Sequence, residues 1–216
     1  MFPFLLMIVN ATRSGSEIMK SFTLIPSVYL KENWATVFKY FNLFLGMWNS
    51  LKVAVPSTLL CAYFSAMTAY ALAMYKFKGN KVLFMTILIF MMIPGQLGLI
   101  GFYNLCTKLH LVNSYIPLII PCIAAPAVVF FMKQYMESTL SIEMIEAARI
   151  DGAREFRIFN TIIMPIMKPA VATQAIFQFI AQWNNLFTPT IMLTTDEKKT
   201  LPLFVQMLTS DQFRVD

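Results

Sequence analysis

Gln174, Gln178, Gln182 and Asn185 follow one another at spacings of four, four and three, in a run from Pro169 to Thr195 with no Asp, Glu, Lys or Arg. At about 100° per helical residue these four carboxamides fall within roughly an 80° arc. Trp183 points nearly the other way. An amide both donates and accepts hydrogen bonds and carries no charge, so the stripe suits an uncharged polar solute better than an ion. It cannot face lipid cheaply, because unpaired polar groups are costly there. Two roles fit it, separately or together: hydrogen bonding between helices, and the wall of a polar translocation pathway.

Other chemistry is scarce. The long apolar runs hold no Asp, Glu, Lys or Arg, which removes the usual proton relays and general acid–base groups. His110 is the single histidine, and Cys61, Cys106 and Cys122 show no C-x-x-C spacing. None of the seven glycines belongs to G-x-x-x-x-G-K-[S/T]. No catalytic residue, metal ligand or cofactor is therefore expected, and any nucleotide hydrolysis must occur on a partner.

The segment from Ser138 to Pro169 is different, being charged and helical in pattern. With its flanks it sets Lys133, Arg149, Arg154, Arg157 and Lys168 against Glu137, Glu143, Glu146, Asp151 and Glu155. Ser141 suits a helix N-cap, and Ile142, Ile145 and Ala148 recur on one face. Gly152 suits a left-handed turn at the helix end. A second helical stretch carries Phe156, Phe159 and Ile163, and Pro165 and Pro169 mark the start of the next span. A lipid-binding surface helix should be basic. This segment is balanced, which favours a protein partner, and Ala147-Ala148 would allow close approach.

The elements that position these residues follow from composition. Of 216 residues, 58% are hydrophobic and 13% charged, with a net charge of +6. Soluble domains carry about 25% charged residues. A bilayer core needs about 20 apolar residues of helix, and four runs are long enough. Transmembrane helices are expected at 49–75, 82–103, 114–135 and 167–195. Residues 1–9 are too short to span and read as the end of a first span. Residues 10–48 read as an extracytoplasmic interfacial segment, 136–166 as a cytoplasmic loop and 196–216 as extracytoplasmic. Ser57, Cys61, Ser65, Ala69 and Ala73 recur every four residues and make a face for close helix approach. Pro94-Gly95 interrupts the second span, and Pro117, Pro121 and Pro126 lie in the third. The short loop 76–81 holds three lysines, so the positive-inside rule places it in the cytoplasm.

Glu146-Ala147-Ala148, Asp151-Gly152-Ala153 and Ile163-Met164-Pro165 resemble the EAA motif of the membrane subunits of bacterial binding-protein-dependent ABC importers. Met164 stands where a leucine is usual. Asn49-Ser50-Leu51, Ala69-Tyr70-Ala71-Leu72-Ala73, Phe77-Lys78-Gly79, Met92-Ile93-Pro94, Trp183-Asn184-Asn185 and Thr200-Leu201-Pro202-Leu203 look like the carbohydrate branch, of the maltose-permease second-subunit type. The resemblance implies an all-α membrane protein, a polytopic bundle in the bacterial inner (plasma) membrane. This chain would supply four full spans and part of the first, with the sixth missing. It implies that Glu146, Ala147, Ala148, Asp151, Gly152, Ala153 and Pro165 dock an ATP-binding ABC subunit. A second homologous permease subunit, an extracytoplasmic solute-binding protein, membrane lipid and a carbohydrate substrate complete the expected partners, and nucleic acid is not among them. The readings left open are a permease for another uncharged solute and a non-transporting membrane scaffold.

Overall fold

The computed structural model describes residues 1–40 and 42–209. Residues 210–216 of the segment expected to be extracytoplasmic lie outside the described residues. Among those described there is no strand. Helices α1 (Phe2–Ala11), α2 (Gly15–Lys20), α3 (Leu30–Tyr40), α4 (Leu43–Met74), α5 (Asn80–Met92) and α6 (Leu99–Lys108) come first. Then follow α7 (Ile116–Thr139), α8 (Ile142–Ile150), α9 (Glu155–Ile166), α10 (Lys168–Trp183), α11 (Phe187–Met192) and α12 (Leu201–Thr209). The chain divides into two compact units. The described residues of one are 1–40, 42–49 and 199–209, and the other is Ser50–Lys198.

In the first unit, Ser14 caps α2 in a reciprocal capping box with Glu17. Arg13 is only 5% exposed. Its guanidinium donates to the carbonyls of Glu17 (2.7 Å) and Ser21 (3.0 Å), so chain oxygens satisfy the buried cation. Asn33 ties α3 back by donating to the carbonyls of Ala11 and Arg13. Gly46 lies under Phe204, where a Cβ would come within 2.5 Å of the ring.

The second unit is built on the inner part of α4. Ser57, Cys61, Ser65 and Ala69 are each 0% exposed. Their face packs into one core with Val128, Val129 and Met132 of α7, Ile145 of α8, Ile158, Phe159 and Ile163 of α9, and Ala170 of α10. Ala73 lies only at the margin of this core. Ser57 donates to the Val53 carbonyl at 2.6 Å, a bond internal to the helix. Val55 and Leu59 are exposed, which suits helix surface turned to lipid.

Among the described residues, two helices, α4 and α7, are individually long and apolar enough to cross a membrane. The count rises to four if each of two bent pairs forms one span. One pair is α5 with Gly95–Lys108, bent by 89°. Pro94 lacks an N–H, so the ladder stops at Ile93 and resumes as a 3₁₀ turn at Gly95–Gly98. The other pair is α9 with α10, bent by 80° at Met167. A π-helical turn, Phe159–Ile163, precedes Pro165 in α9. The run 167–195 is likewise not one rod, since α10 ends at Trp183 and the chain restarts at Phe187.

Ala69→Leu should overpack the α4 face at a cost of about 1–3 kcal/mol. The expected result is a lowered unfolding temperature in detergent, with a smaller drop for Ala73→Leu. Equal shifts would contradict the packing described.

Candidate coupling loop and polar cavity

The loop between α7 and α10 is built from its caps. Ser141 Oγ accepts from the Met144 N–H at 3.3 Å, starting α8. Glu143 in the first turn and Arg149 in the last both suit the helix dipole. At the other end Gly152 has φ +80°. The Ala153 N–H reaches the Ala148 carbonyl and the Gly152 N–H the Arg149 carbonyl, both at 3.0 Å. These two bonds form a Schellman closure, which needs a left-handed residue where Gly152 stands.

The caps decide which face of α8 is free. Ile145 and Ala148 are buried. Ile142, placed by spacing on the same face, is 44% exposed, because it sits at the edge of the buried arc. Glu146, Ala147, Asp151 and Gly152 are exposed, and Ala153 is half-buried. Ile150 is 86% exposed. The outward surface of α8 therefore combines carboxylates with isoleucine and alanine. Pro165 is also exposed, but on the last turn of α9.

Behind α8 lies a polar cluster that the sequence did not indicate. Arg149 Nε donates to Glu155 Oε1 at 2.6 Å. Tyr70 OH donates to Glu155 Oε2 at 3.3 Å, and Tyr75 OH donates to the same oxygen. The Arg149 guanidinium sits 5.3 Å from the centre of the Tyr75 ring. Arg149 holds the Glu155 carboxyl below the usual carboxylate range, and the pairing raises Arg149 above its ordinary value. Tyr63 OH donates to Asn160 Oδ1 at 3.2 Å, and the Phe159 ring lies 5.6 Å from those of Tyr63 and Tyr70.

The carboxamide stripe divides. Gln178, Gln182 and Asn185 line a cavity of about 380 Å³, and Gln174 does not. Thr188, missed in the sequence, joins them from α11, while Gly95 and Gly98 contribute from the break after α5. Gln182 Nε2 donates to Cys122 Sγ at 3.1 Å, whereas its buried Oε1 has no hydrogen-bond partner among the described residues. Asn185 Oδ1 accepts from the Thr188 N–H at 3.4 Å, holding the α10–α11 turn. Trp183 stacks on Phe179. The side chains that bring hydrogen-bonding groups to this cavity are amides, a hydroxyl and a thiol, all neutral, so it can solvate a neutral polar molecule without pairing a charge.

No side chain crowds the Cβ direction at Gly152, so replacements there should fail by backbone strain alone, at roughly 1–2 kcal/mol for an ordinary residue. Gly152→Val should raise proteolytic cleavage in the loop. Gly152→Asn, which tolerates the left-handed region, should raise it less. Equal cleavage of the two would show that φ is not the constraint.

Comparison with known proteins places these features in a family. Residues 58–198 match the profile described as "Binding-protein-dependent transport system inner membrane component". The arabinooligosaccharides transport system permease protein AraQ of Halalkalibacterium halodurans is 38% identical over 206 residues, covering 94% of this chain and 74% of that protein. The lactose transport system permease protein LacG of Rhizobium radiobacter is 30% identical over 209 residues, covering 97% and 76%. Among solved structures, a bacterial ABC transporter involved in import of the acidic polysaccharide alginate superposes with a TM-score of 0.80 at 25% identity. That match covers 99% of this chain and 75% of the matched one.

Proposed function

The chain belongs to the binding-protein-dependent transport system inner membrane component family, and from that membership we propose that it is a permease subunit of an ATP-driven importer of sugars or oligosaccharides. The observation that carries the substrate class is the cavity. Gln178, Gln182, Asn185 and Thr188 present amides and a hydroxyl, with no charged side chain among the lining residues. Sugars are bound by groups that both donate and accept, and the unsatisfied Gln182 Oε1 is an acceptor of that kind. The relatives named for arabinooligosaccharides and lactose support the same class. In this reading Gln174 serves helix packing rather than the path.

ATP is hydrolysed on a partner subunit, and the outward face of α8 is where that subunit docks. Glu146, Ala147, Asp151 and Gly152 are exposed there, Ala153 and Pro165 belong to the same motif, and Ala148, expected among the docking residues, is buried and backs this face from the core. A second permease chain completes the path, and an extracytoplasmic binding protein delivers the sugar. Loop displacement then tilts the spans, a recognised class of switch. The orientation that serves this mechanism places 76–81 and 136–166 in the cytoplasm and 10–48 outside.

Two measurements test this. In a chain without native cysteines, an impermeant thiol reagent applied to intact cells should label Lys31→Cys and leave Lys78→Cys and Glu143→Cys unlabelled. Ready labelling of position 143 would reverse the topology. Gln182→Leu should lower sugar uptake per assembled complex by about tenfold, the scale of one lost buried hydrogen bond to substrate, while assembly persists. Normal uptake per complex would leave the amide a packing residue.

A further inference from the structure

The Glu155 carboxylate is the point where three side chains from two elements meet. Arg149 comes from the last turn of α8, and Tyr70 and Tyr75 come from the end of α4 and the residue just past it. Apart from the Tyr63–Asn160 hydrogen bond, which ties α4 to α9 and leaves α8 out, the contacts around the cluster are apolar: Ile145, Ala148, Ile158 and Phe159 pack with Tyr70 in the shared core. Apolar packing is non-directional and can slide. A charge-assisted hydrogen bond has a fixed geometry. The Arg149 and Glu155 side chains retain 36% and 46% of their exposure, so water screens the pair and it contributes little to overall stability. It can be strained and remade within a transport cycle. Nothing in the EAA resemblance assigns a role to this residue.

We propose that Glu155 is a positioning residue for energy coupling: by holding Arg149 of α8 and the hydroxyls of Tyr70 and Tyr75 on one carboxylate, it makes α4 follow the displacement of α8. This rests on the docking role given above to α8. Without the carboxylate, α8 still forms from its own caps and still presents Glu146, Ala147 and Gly152, but its movement is taken up by slippage against Tyr70 and Phe159 instead of reaching α4.

The test uses the complete transporter, this chain with its ATPase, second permease and binding protein, in proteoliposomes with arabinotriose as the probe. Glu155→Gln removes the charge, and Tyr75→Phe removes one hydroxyl while keeping the ring. Both should copurify the ATPase at the normal level and hydrolyse ATP, while uptake per ATP falls by about three- to tenfold, inside the span seen for residues that modulate coupling. The reversed pair Arg149→Glu with Glu155→Arg should recover part of the loss.

A second readout needs no sugar. A cysteine at Thr68, exposed on α4, in a chain without native cysteines, should change its labelling rate on ATP addition when Glu155 is present and lose that response in Glu155→Gln. A full response in Glu155→Gln, or unchanged uptake per ATP, overturns the proposal. So does loss of ATPase copurification, which would make Glu155 part of the docking surface. If the unmodified transporter shows the ATP response at Thr68→Cys but takes up no arabinotriose, that sugar is not its substrate and uptake is read with another oligosaccharide. The Thr68→Cys response in Glu155→Gln then decides the role of Glu155.

Discussion

Close approach along the small-residue face of α4 governs the arrangement of the second unit. Ser57, Cys61, Ser65 and Ala69 project so little that α7, α9 and α10 can pack against α4 in one core. In lipid there is no hydrophobic gain from pairing two apolar helices, so van der Waals contact between near backbones has to hold them. A large side chain on this face would separate the helices and move Phe159 and Ile163, and with them the whole connection from α8 to α10. The loop chemistry at one end and the cavity chemistry elsewhere in the unit both depend on this packing.

The second constraint is that backbone polar groups need partners in a medium without water. Broken helix is tolerated only where protein or a wet cavity satisfies the freed groups. The interruptions at Pro94–Gly98 and at Asn184–Leu186 follow this rule. Gly95, Gly98 and Asn185 line the same cavity, so the places where the helical ladder stops are also where polar surface is present. The breaks that shorten the spans thus help create the site.

Much of this was legible from residue types. Ser141, Gly152 and the apolar spacing marked α8, and caps act within a few residues, so their signal is local. Ile142 shares a face with Ile145 and Ala148 by spacing yet is 44% exposed, because a short helix exposes the edges of its apolar arc and only the neighbours decide how wide that arc is. The amide stripe shared a face by periodicity, yet Gln174 falls outside the cavity that the other three line. Periodicity gives direction around an axis; it does not give depth along it. Thr188 lay past a helix break, where no period extends.

From the sequence alone come the membrane class, the all-helical build, the caps of α8 and the neutrality of the polar stripe. These depend on composition and on interactions between residues a few positions apart. Tertiary structure alone decided that Glu155 meets Tyr70 across 85 residues of chain, that Tyr63 reaches Asn160 across 97, and that the glycines after Pro94 share a cavity with Asn185 and Thr188. The physical reason is that such contacts depend on how helices rotate and bend against one another. Those rotations are set by packing summed over the whole core, and no local pattern records them.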